Sequence, residues 1–227
     1  DRTMRVFTRS AAVLFACCLA ANVAAAQVAR TPQQNAEFRR AEAAWLSGGS
    51  LLEAKERLDN VIESLPDDAP ALVLRTKILL ALERNPEAYR DAKSAFLLLP
   101  EDGEVSLLMT RAARLAGDTT LALEALRCAS STISTDAHSH LRLSIESLHL
   151  GRHEEAESLA RVAVALDPRY SEARLQLARV LAVRGNTEAA AKALTAALDE
   201  SLVTRDRIQS DSLLVWTGVA RRVLENR

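Results

Sequence analysis

Residues 137–170 read AHSHLRLSIESLHLGRHEEAESLARVAVALDPRY, and residues 171–204 read SEARLQLARVLAVRGNTEAAAKALTAALDESLVT. Laid one over the other, Gly151 meets Gly185, Ala156 meets Ala190 and Ala163 meets Ala197, a spacing of 34 residues. The same ruler extends outward. Gly49 and Gly117 share the glycine phase, and Ala54, Ala88 and Ala122 share that of Ala156. Ala95 and Ala129 continue the series of Ala163, with Val61 in the first place. Four of the six prolines, Pro32, Pro66, Pro100 and Pro168, also fall in one phase. Alanine is common in this chain, but glycine and proline are scarce, and their obedience to one period makes chance a poor explanation.

Each residue type has a mechanical reason to recur. Gly117, Gly151 and Gly185 end the first helix of a hairpin, where a left-handed backbone suits a residue without Cβ. Ala122, Ala156 and Ala190 lie early in the second helix, where a methyl lets two axes approach, and Thr76, Thr110, Ser144 and Ala178 take the facing place. Pro66, Pro100 and Pro168 close second helices, since proline lacks the N–H and biases its predecessor away from helix. Some positions depart from the pattern. Glu83 stands where glycine is expected, with Asn85-Pro86 after it as the residues suited to the turn. Ser134 replaces proline within the polar stretch 130–135, which is expected to fray or loop, and Leu202 replaces proline in the fifth unit. Glu42 sits where a small residue belongs, so the first unit's register is open by about one residue.

A 34-residue unit with small residues near its eighth, twentieth and twenty-seventh places, Gly near the fifteenth and Pro near the thirty-second resembles the tetratricopeptide repeat, a helix-turn-helix module. The resemblance covers residues 35–204 and implies an all-α, right-handed α-solenoid of about five hairpins: 35–68, 69–102, 103–136, 137–170 and 171–204. Residues 27–34 read as a linker. Residues 205–227 read as a polar stretch followed by an amphipathic capping helix with Leu213, Trp216, Ala220 and Val223 on one face, because an open array otherwise leaves its last apolar side wet.

Composition agrees with helices. Aromatics are 4% of 227 residues, while Ala, Leu, Arg and Glu dominate. Basic and acidic residues number 29 and 30, so no whole-chain field draws the protein to nucleic acid. Of three cysteines, Cys17 and Cys18 lie in the N-terminal apolar run, leaving Cys128 alone, so neither a disulfide framework nor a cysteine-based zinc site is built in the remainder.

Met4 reads as the start of a signal peptide: Arg5 and Arg9, then the apolar run Ala11–Ala21, too short to span a bilayer, then Ala24-Ala25-Ala26-Gln27. Cleavage after Ala26 would leave 29−3=26 basic and 29 acidic residues and a periplasmic or secreted protein. Two readings compete with it. Leu14-Phe15-Ala16-Cys17 resembles a lipoprotein box, which would place Cys17 at a membrane, and an uncleaved segment would serve as an anchor.

Catalytic signatures are not evident: the chain has no Gly-rich phosphate loop, GxSxG elbow or HExxH helix, and no cofactor is implied. His138, His140, His149 and His153 all fall in the fourth unit, but eleven residues of helix put His138 and His149 roughly 16 Å apart and no third ligand is evident, so they read as surface and groove histidines. Cys128 reads as a small half-buried hydrophobe. What remains is the concave groove. In the family it resembles, first-helix places 2, 5, 9, 12 and 13 line that surface, which carried over by register gives Arg39, Lys77, Arg111, Arg114 and Arg179 among apolar Leu107, Leu141, Ile145 and Leu175. The resemblance therefore implies a non-enzymatic scaffold or adaptor of the bacterial cell envelope that holds an acidic, apolar segment of a partner protein. The alternatives are a regulatory or targeting module for a separately encoded enzyme, and a metal-binding or enzymatic protein using the fourth unit.

Overall fold

The computed structural model describes residues 29–132, 136–199 and 203–225. The expectations for residues 1–26, Ser134 and Leu202 lie outside the described residues. The chain divides into two compact units, Asp1–Ala112 and Ala113–Arg227. The described residues are all-α, with helices packed in adjacent pairs.

In the first unit the pairs are α1 (Pro32–Ser47) with α2 (Leu51–Ser64) and α3 (Ala69–Ala81) with α4 (Asn85–Leu98). The helix α5 (Gly103–Leu115) begins in this unit and ends in the second. Pairing depends on small side chains: Ala54, Ala88, Thr76 and Thr110 are wholly buried, and each threonine returns its hydroxyl to the carbonyl four residues back, Thr76 to Leu72 at 2.8 Å and Thr110 to Ser106 at 2.9 Å. A guanidinium ties three helices. Arg75 on α3 is bidentate to Asp91 on α4, at 2.6 and 2.8 Å, and reaches Asp59 on α2 at 2.9 Å. Burial would lower its pKa, but the two carboxylates outweigh that and raise it above the ordinary value.

The first hairpin differs from its sequence reading in three ways. Helix α1 begins inside the stretch read as linker: Pro32 is its first residue, and Thr31 and Gln34 form a capping box. Arg30, also in that stretch, is bidentate to the buried Asp68 at 2.5 and 2.6 Å and covers the Phe38 ring. Thirdly, the buried small residue is Ala41 and the left-handed residue is Gly48, each one place before Glu42 and Gly49. Ala54 follows Gly48 by six residues, whereas Ala88 follows Glu83 and Ala122 follows Gly117 by five, so an extra residue sits in the turn. In the second hairpin Glu83 itself adopts φ +58°, while Asn85 opens α4; the expectation that Asn85 would relieve the turn is corrected.

The second unit contains α6 (Thr119–Thr132), the pairs α7 (Ala137–His149) with α8 (His153–Leu166) and α9 (Ser171–Val183) with α10 (Thr187–Asp199), then α11 (Arg205–Gln209), α12 (Ser212–Trp216) and α13 (Val219–Glu225). Ala122, Ala156, Ala178 and Ala190 are wholly buried, and the Ser144 hydroxyl donates across its hairpin to the Ala156 carbonyl at 2.8 Å. The polar residues 130–132, expected to fray, continue α6, with Ser131 and Thr132 hydroxyls returned to the Cys128 carbonyl at 2.8 and 2.9 Å. Cys128 is half-buried.

The single capping helix is replaced by three short ones. Gly218, at φ +75°, breaks the segment, so residues on its two sides cannot share one stripe. Ile208, Leu214, Val219, Ala220 and Val223 pack on Leu175, Leu181 and Leu194, whereas Trp216 is 81% exposed.

Candidate partner-binding surface

The first-helix positions were expected to present a row of basic side chains among apolar ones. In the first unit, α3 supplies Lys77, whose Nζ lies 3.2 Å from Glu104 on α5, and α5 supplies Arg111, which is exposed. Val73 is half-buried beside them in register, while Leu107 is buried. Arg39 is exposed but lies off this face. The one-residue shift of α1 turns it by about 100° and puts Phe38 in the place assigned to Arg39.

In the second unit most of the expected site residues are engaged. Arg114 donates to Glu146 on α7 at 2.9 Å, and Arg179 on α9 donates to Asp211 at 2.5 Å. Arg207 on α11 is bidentate to Glu172, with its second contact at 2.7 Å. Leu141 and Leu175 are buried, and Ile145 is half-buried against the cluster of Leu141, Ala163 and Ala173. Leu107, Leu141 and Leu175 therefore pack inside the array and do not line an open surface, because one face of each first helix meets the neighbouring hairpin.

These pairs share a spacing that single-helix reasoning missed. Arg114–Glu146, Arg179–Asp211, His138–Tyr170 and Gln176–Ser144 are each separated by 32 residues, one repeat less two. Successive first helices are offset, so residue i faces i+32. Opposite charges at that spacing were visible in the sequence, but a period of 34 hides them. His138 Nδ1 lies 3.0 Å from the Tyr170 hydroxyl, and their rings stack. Burial, then the Glu172, Asp167 and Asp136 carboxylates, push the Tyr170 phenol above its ordinary value. His140 reaches the Asp136 carbonyl at 2.8 Å, while His149 and His153 are exposed. Among the described residues no three metal-ligating side chains converge.

Comparison with known proteins agrees with this architecture. The tetratricopeptide-repeat family profile matches residues 147–207. No curated protein matches the chain. Among solved structures, PilW, described as a widely conserved type IV pilus biogenesis factor, is 17% identical with TM-score 0.70, covering 86% of this chain and 89% of its own. YrrB, described as a TPR protein with an unusual peptide-binding site, is 19% identical with TM-score 0.58, covering 83% and 90%. TTC0263, a thermophilic TPR protein from Thermus thermophilus, is 20% identical with TM-score 0.61, covering 83% and 99%. Residues 147–207 match the tetratricopeptide repeat, and the chain shares the fold of solved tetratricopeptide-repeat proteins over most of its length.

Proposed function

We propose that the protein is a protein–protein interaction scaffold of the bacterial cell envelope, holding an acidic, apolar segment of a partner on the first helices of its first unit. The observation that carries this reading is Arg111. It is exposed on α5 at the repeat position that Lys77 occupies on α3, with Val73 half-buried one helical turn before Lys77. Lys77 is held by a half-exposed Glu104 at 3.2 Å, a pair of the kind that contributes little and can exchange for a partner's carboxylate. Arg179 and Arg114 are held against more deeply buried carboxylates and serve the array itself. The fold is one that other proteins use to hold peptides, as the description of YrrB states for that protein. Export rests on the signal-peptide layout of residues 1–26, and an adaptor role without catalysis rests on the fold and the lack of any catalytic motif.

Affinity capture from an envelope extract tests the reading. Arg111→Glu should reduce recovery of the captured partner about tenfold, with unchanged helicity, and added salt should weaken the wild-type interaction. Undiminished capture by the variant would remove this face from consideration. Intact mass of the recovered protein should begin at Gln27; a lipidated Cys17 would transfer the scaffold to a membrane surface.

A further inference from the structure

Side chains spaced alternately four and three residues apart form one strip along a helix, and the outer strips of the two second helices in the first unit differ in sign. On α2, Leu52, Glu56, Asp59 and Glu63 fall within roughly 60° of one another by the helical period. Ala54, Leu58 and Val61, all buried, take the opposite side, so the strip points away from the packed core. Leu52 is 55% exposed, and Glu56 and Glu63 are exposed carboxylates that meet no cation among the described residues. Asp59 is answered from within the unit, by Lys55 at 2.7 Å and Arg75 at 2.9 Å.

The same places one repeat later, along α4, hold Pro86, Arg90, Lys93 and Leu97, with buried Ala88, Ala92 and Ala95 on the far side. Arg90 does no more than approach the Pro86 carbonyl at 3.4 Å, and the Lys93 ammonium stands 5.9 Å from the centre of the Tyr89 ring. Among the described residues neither meets a carboxylate, because the acidic side chains of α4 are already taken: Glu87 by Arg84 at 2.7 Å and Asp91 by Arg75 at 2.6 Å. Two unpaired cations therefore share one outer face with Leu97, which is 74% exposed.

We infer that two copies of this chain associate about a two-fold axis, the acidic α2 strip of each lying on the basic α4 strip of the other. The occupant is a second copy because both halves of the contact stand at equal repeat places on neighbouring second helices, which run the same way in stacked hairpins. A two-fold axis along those helices lays α4 of one copy over α2 of the other, and α2 over α4, in a single operation. Glu56 of each then comes within reach of Arg90 of the other, Glu63 within a turn of Lys93, and Leu52 against Pro86. Each free charge gains an opposite one, which neither an acidic nor a basic partner would supply to both strips. The contact is isologous and closes at two copies. Exposed ion pairs carry much of it, so association is weak and salt-sensitive. Arg111 lies on a first helix outside both strips, so dimer formation and partner capture are tested separately.

Sedimentation velocity on the protein as recovered from expressing cells, across about 1–200 µM at low and high salt, tests this. The weight-average mass should rise with concentration toward that of two chains and no further, and fall with added salt. Glu56→Lys with Glu63→Lys makes both strips basic, and Arg90→Glu with Lys93→Glu makes both acidic. Each paired variant alone should associate about tenfold more weakly, with unchanged circular dichroism. Mixing the two variants should restore a one-to-one dimer to within about threefold of wild type, because the facing strips are then again of opposite sign. Only folded variants can recover in this way, so the mixture separates charge matching from misfolding. A single monomeric species at all concentrations overturns the inference. So do growth beyond two copies, association that survives both reversals, and a mixture that stays monomeric.

Discussion

Glu83 occupies the left-handed position that Gly117, Gly151 and Gly185 fill in other hairpins. A side chain with Cβ pays roughly 1–2 kcal/mol there, partly offset by the greater unfolded-state freedom of glycine. Glu83→Gly should therefore stabilise the protein by about 0.5–1 kcal/mol, read as a higher denaturation midpoint with unchanged slope. The position was legible in the sequence as the place where glycine is missing. Which residue absorbs the strain was not, because Asn85 tolerates left-handed geometry equally well by type and only the chain path decides. The buried alanines were fully legible, since Ala54, Ala88, Ala122, Ala156 and Ala190 are wholly enclosed where the period put them. Arg39 was misplaced for the opposite reason: a single inserted turn residue leaves no mark on composition, yet shifts by one which residues of α1 take each place on an unchanged face.

Between elements, carboxylates decide more than the apolar pattern suggests. Asp211 accepts from Arg179 at 2.5 Å and also from the Leu214 N–H at 3.2 Å, so one side chain both pairs α9 with the C-terminal segment and caps α12. Asp211→Ala should cost about 2 kcal/mol by chemical denaturation, combining a lost cap with a guanidinium left without its acceptor. Removing Arg207, nearly half exposed, should cost no more than about 0.5 kcal/mol although its pair with Glu172 is bidentate. The comparison separates a contact that holds an element from one that decorates it. Neither role was readable beforehand, because residues 205–212 look like a polar connector until Ile208 and Leu214 are seen buried beneath them.

For the molecule as a whole, near-neutral net charge leaves acid stability to a few embedded carboxylates. Glu157 is the clearest. Burial pushes its pKa up, but Arg161 and Arg184, at 2.8 and 2.5 Å, outweigh that and hold it below the ordinary value of about 4.5. A depressed folded value means that the stabilisation is present above that ordinary value and is lost as pH falls through the folded one. Melting temperature measured between about pH 6 and pH 3 should fall more steeply for wild type than for Glu157→Gln, the two curves converging at the acid end. The all-helical architecture was legible at this scale from four phased residue series, whereas the working surface was not. A groove is defined by what neighbouring hairpins leave uncovered, and burial of Leu107, Leu141 and Leu175 follows from packing that one repeat does not contain.

The turn at Gly48-Gly49-Ser50 accommodates one more residue than its counterparts while Ala54 stays buried in its usual place. Length changes at such a joint are absorbed without re-cutting either helix. The same tolerance makes each hairpin an exchangeable cassette: a gene can duplicate or delete one with imprecise ends, and the turn takes up the error before it reaches a packed face.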